Sequence, residues 1–107
     1  MINFNDLIFT VNNINENVKR CRIKFANKHY ISVIGSVDKN ENSRVYGDGE
    51  ETFELWTSEL EKSNKDVEAY IDISRVNNVL KEFQLKYGKP THMNDMKLED
   101  YSNTQLS

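Results

Sequence analysis

The chain has 107 residues, a formal net charge of −3 and 37% hydrophobic residues, with a mean hydropathy of −0.72; that is enough for one small domain, with no room for a separate cofactor domain. No stretch approaches ~18 apolar residues, so no membrane-spanning helix is expected. The start Met1-Ile2-Asn3-Phe4-Asn5-Asp6 lacks the regions of a secretory signal, and the single cysteine, Cys21, gives no internal disulfide framework, so a cytoplasmic protein is expected.

Phe4, Leu7, Ile8 and Val11 recur at helical spacing, with Asn3 or Asn5 in reach as N-cap. The β-branched run around Ile8-Phe9-Thr10-Val11 suits a strand instead; the helix is preferred. Next comes a hairpin. Cys21, Ile23 and Phe25 alternate with Arg20, Arg22 and Lys24, and after Asn27-Lys28-His29 the residues Ile31, Val33 and Gly35 alternate with Tyr30, Ser32 and Ile34. A three-residue turn that pairs Phe25 with Ile31 and Ile23 with Val33 buries one clean face and leaves Arg22, Lys24, Tyr30, Ser32 and Ile34 outside. Residues 38–50 are rich in Asp, Asn, Ser and Gly and predict an exposed loop. A third strand over 51–57 points Phe53 and Leu55 inward and Glu54 and Trp56 outward. After a polar connection or single helical turn over 58–66, Val67, Ala69, Ile71 and Ile73 alternate as a fourth strand.

Val76, Val79, Leu80, Phe83 and Tyr87 then mark a helix, with Ser74 as N-cap, Gly88 at its end and Pro90 beyond. Residues 91–107 show no strong period; a partly disordered tail is expected, with Met93, Met96 and Leu98 docking weakly. The order α-β-β-β-β-α predicts an α+β fold, a mainly antiparallel four-stranded sheet with one or two helices packed on one face, as a single domain over residues 1–90.

The net charge hides a split. Residues 1–37 carry +3, residues 38–72 carry −7 and residues 73–107 carry +1. Little in the chain points to catalysis. Cys21 needs a base within hydrogen-bond reach, but His29 sits in the hairpin turn and His92 in the tail. Two histidines and one cysteine give no zinc spacing. Asp38-Lys39-Asn40-Glu41-Asn42 imitates the start of a calcium loop, yet Ser43 stands where glycine is required and Gly49 where a bidentate glutamate is required. Tyr46-Gly47-Asp48-Gly49-Glu50 places carboxylates where a phosphate would have to sit. A non-enzymatic protein with no cofactor and no metal is expected.

Two surfaces are candidates for binding. Asp48, Glu50, Glu51 and Glu54, with Trp56 as an anchor, form an acidic set able to occupy a groove built for nucleic-acid phosphate. Lys19, Arg20, Arg22, Lys24 and Tyr30 form a basic, aromatic set able to hold single-stranded nucleic acid, unless Glu54 pairs across the sheet with Arg22 or Lys24. The last helix lacks the basic cluster of a double-stranded RNA-binding domain, since Ser74-Arg75-Val76-Asn77-Asn78 offers only Arg75.

Phe25-Ala26-Asn27-Lys28, Ile31-Ser32-Val33-Ile34-Gly35, Tyr46-Gly47 and Thr52-Phe53-Glu54-Leu55, followed by a short strand and a helix, resemble a group of small phage and prophage proteins over residues 22–87. Lys28-His29 departs from that group's Gly-rich turn. The start Asn3-Phe4-Asn5-Asp6-Leu7-Ile8 and the element order are similar to small acidic anti-CRISPR proteins. The resemblance implies a phage or mobile-element protein that binds and inhibits or redirects a host protein, such as a nucleic-acid-binding nuclease or effector complex, through the acidic surface. A nucleic-acid-binding accessory protein using the basic hairpin 19–30 is the alternative, and a homodimeric assembly module is a third reading. No membrane partner is expected.

Overall fold

A computed structural model describes residues 1–11, 17–37 and 45–99. The architecture is α+β: an antiparallel sheet with a long helix and a short one. Strands β1 (Thr10–Val11), β2 (Val18–Lys24), β3 (Tyr30–Ser36), β4 (Thr52–Thr57), β5 (Glu68–Asp72), β6 (His92–Met93) and β7 (Met96–Lys97) accompany helices α1 (Ser58–Lys62) and α2 (Ile73–Tyr87). Their order across the sheet is β5-β4-β3-β2-β6-β7, with β1 also paired to β2. Among the described residues the sheet has seven strands rather than four, because three two-residue strands are too short to show a period of their own.

The N-terminal segment divides between the two expected conformations. Phe4–Asp6 is a 3-10 turn, capped by Asn3 on Asn5 N–H and closed by Asp6 on Asn3 N–H, and Thr10–Val11 is strand. It lies along α2, whose buried Gln84 donates to Ile2 O at 2.9 Å and accepts from Ile2 N at 2.9 Å, while Asn77 accepts from Phe4 N at 2.8 Å. A polar residue inside the helix's apolar stripe is thus satisfied by the docked N-terminus.

The central hairpin keeps its expected faces but changes register. Ile23 lies opposite Ile31 and Cys21 opposite Val33, a shift of two residues from the predicted pairing. Its turn is a 3-10 segment, Ala26–Lys28, with Asn27 and Lys28 both at positive φ. A two-residue shift preserves the alternation, so the same side chains stay buried. Helix α2 starts one residue before the expected cap: Asp72, not Ser74, accepts from Arg75 N at 2.9 Å. Ile73, expected to close the fourth strand, is therefore the first helical residue. The buried side chains of α2 meet Ile23, Phe25, Ile31, Val33, Phe53 and Leu55 in one core. Phe25 and Phe83 are 5.5 Å apart between ring centroids.

Residues 92–97, expected in the tail, form a hairpin on the free edge of β2. Its loop, Asn94-Asp95, has positive φ at both positions, the backbone of a tight two-residue turn. Asn94 fastens it, donating to Ile8 O at 2.6 Å and accepting from Arg22 N at 3.0 Å. Met93 belongs to the core, Leu98 packs against it and Met96 is exposed. Residues 100–107 lie outside the described residues. No described helix is long and apolar enough to cross a membrane.

Candidate binding face on the open side of the sheet

The sheet buries Cys21, Ile23, Ile31, Val33, Phe53 and Leu55 under α2. Strand alternation sends their neighbours to the other side, and cross-strand register arranges those in rows. Lys24 lies beside Tyr30; Arg22 beside Ser32 and Trp56; Arg20 beside Ile34 and Glu54. On the far side of β2, His92 lies opposite Lys24 and Lys97 opposite His92. The C-terminal hairpin therefore widens the basic strip, a contribution the sequence reading missed. The available signal was the Asn94-Asp95 pair between Met93 and Met96, a two-residue turn sequence.

At the centre, the Arg22 guanidinium sits 4.5 Å from the centre of the Tyr30 ring. Trp56 Nε1 donates to Tyr30 Oη at 2.9 Å, and Tyr30 Oη donates to Glu61 Oε2 at 2.6 Å. Desolvation, then the hydrogen bond to Glu61, push the Tyr30 hydroxyl above the ordinary phenol range. Ser32 is 7% exposed beneath these side chains although it faces the open side. The result is a π surface anchored in place, with cations along one margin. It has the chemistry to take planar rings and anionic oxygens.

The two candidate sets are redistributed. Arg20, Arg22, Lys24 and Tyr30 come together on the open face. Lys19 does not: it shares the parity of Cys21, and its ammonium lies 5.4 Å from the Phe9 ring on the other side. Trp56 joins the basic set rather than the acidic one. It stands four residues along β4 from Thr52, about 13 Å beyond the turn that holds Glu50 and Glu51. Glu54 pairs with neither Arg22 nor Lys24; it accepts from Tyr46 N at 3.2 Å, while Lys24 pairs with Asp95.

Much of the acidic middle has a structural task. Asp48 accepts from the N–H groups of Glu50, Glu51 and Thr52 at 2.8, 2.9 and 3.0 Å, and these bonds hold its carboxyl down at about 2. Glu59 takes the Tyr87 hydroxyl and Lys86, Glu68 takes Arg75 through two bonds of 3.0 Å, and Asp72 caps α2. Glu50 and Glu51 are exposed on the turn.

Cys21 and His29 both have places in the packing. Cys21 is fully buried, and burial pushes its thiol up to about 12. His29 stacks on Tyr87 at 3.7 Å and shares a 3.1 Å hydrogen bond with Ser58 Oγ, closing the hairpin end onto the helices. No group of three or more metal-ligating side chains occurs among the described residues, and the calcium-like run 38–42 lies outside them. No protein-family model, curated protein or solved structure matches the chain.

Proposed function

We propose that this protein acts by binding rather than by catalysis, and that its open sheet face holds a single-stranded nucleic acid. One observation carries the reading: the Arg22–Tyr30–Trp56 cluster, flanked by Arg20, Lys24, His92 and Lys97, lies on the face opposite the core packed under α2. Cations neutralise phosphates, and an aromatic surface stacks bases with little regard to sequence. The net charge of −3 argues weakly against this. Charges more than ~8 Å apart are largely screened at physiological salt, and many acids are tied into turns, caps and ion pairs away from this face.

Trp56 is the only tryptophan, so its fluorescence reports on the face directly. Titration with a thymidine oligomer at low ionic strength is expected to quench it. The affinity should fall with added salt, with a logarithmic slope of roughly −2 if three phosphates are neutralised. Unchanged fluorescence and no retardation at low salt would remove the reading. In that event a second one takes its place: capture of a host protein through the exposed Glu50 and Glu51, in the manner implied by the likeness to small phage and anti-CRISPR proteins.

A further inference from the structure

Two exposed tyrosines lie at the β5 margin of the same face. Tyr46 and Tyr70 are 49% and 64% exposed, and their ring centroids are 5.9 Å apart with the planes tilted by 60°. Tyr70 has φ +52, the left-handed region an aromatic residue rarely adopts. It stands where the β4–β5 pairing breaks register between Phe53 and Leu55. Its N–H donates to Tyr46 O at 2.8 Å, and Tyr46 N–H donates to Glu54 Oε2. Gly47 lets this segment cross the β4 backbone, since a Cβ there would meet Phe53 Cα at 2.5 Å. A strained backbone that presents a large ring to solvent is a pointer to function.

We infer that Tyr46 and Tyr70 form a second base-stacking position, so that one single strand crosses the sheet from β2 to β5. This rests on the nucleic-acid reading above. Two residues along β4 and one strand across separate Trp56 from this pair, about 8 Å by sheet geometry. The phosphates enter at the β2 margin, beside Arg20, Arg22 and Lys24. Glu54 repels a phosphate at the tyrosine margin but accepts from a base N–H, thymine N3–H included, so bases lie there.

The test compares Tyr46→Ala, Tyr70→Asn and Tyr70→Phe with the parent by Trp56 fluorescence titration, using a thymidine oligomer long enough to span the sheet. Asparagine tolerates the left-handed backbone, so Tyr70→Asn removes the ring while relieving strain. Tyr46→Ala and Tyr70→Asn are each expected to weaken binding by about 5- to 100-fold. Tyr70→Phe is expected to bind like the parent, and Tyr70→Asn to melt no lower than it. Parental affinity in both ring-deleted variants overturns the inference and leaves the first reading standing. A parent that binds no oligomer overturns both.

Discussion

Met93→Ala decides whether the C-terminal hairpin belongs to the cooperative fold. Met93 is 2% exposed, lies opposite Ile23 across the β2–β6 pairing, and its sulfur accepts from Ile8 N at 3.4 Å. The substitution removes three heavy atoms from the point where β2, β6 and the N-terminal segment meet. Large-to-small changes at buried methionines cost about 2–5 kcal/mol. The site lines a surface groove with Ile2, Ile8 and Leu98, so part of the void can fill with solvent or relax, which favours the lower half of that range. About 2–3 kcal/mol is a large share of a domain's usual ~5–15 kcal/mol. It corresponds to a fall in Tm on the order of 10 °C or more at this size. Urea melts followed by Trp56 fluorescence measure it, with Met96→Ala as control. Met96 is 44% exposed, so its truncation should stay within about 0.5 kcal/mol. If the two variants melt alike, the hairpin is an appendage and its packing adds nothing to the fold.

Two further outcomes concern the turn before β4. Three backbone N–H groups hold the Asp48 carboxyl at about 2, below its ordinary 3.8, so the folded state favours the charged form. The stability it contributes is fully present above pH ~4 and disappears as pH falls towards 2. Melts of the parent and Asp48→Asn should therefore differ at pH 6 and converge near pH 2; a gap independent of pH would show that the carboxylate charge is not what those N–H groups bind. Gly49 has φ +81 and a Cβ there would lie 1.9 Å from Ser36 O, whereas Gly88 has φ +83 and open space around it. Gly88→Ala is expected to cost about 1–3 kcal/mol in urea denaturation, because φ +83 with ψ −166 is a backbone region that essentially only glycine occupies. Gly49→Ala should cost several times more, and equal costs would refute the close approach of the turn to β3.

The sequence by itself determined what depends on neighbours a few residues apart. Alternation at Cys21-Ile23-Phe25 and Phe53-Leu55 marked the buried sheet face, and the spacing of Val76, Val79, Leu80 and Phe83 marked the helix stripe. The same alternation put Arg22, Lys24, Tyr30 and Trp56 on the open side; applied to Lys19, it places that residue opposite them. The hairpin faces survived a wrong register because a slip of two residues leaves every side chain on its side. The tertiary structure decided everything set by partners far away in the chain. It brought Met93 to Ile23, set Trp56 on Tyr30 instead of among the acids, and gave Glu59 its partners Lys86 and Tyr87. The physical reason is that a charge or an aromatic ring carries no directional preference readable from its neighbours in sequence. Whether it is solvated, paired or stacked depends on which strand edge arrives beside it, and that is fixed only when the whole sheet closes on its core.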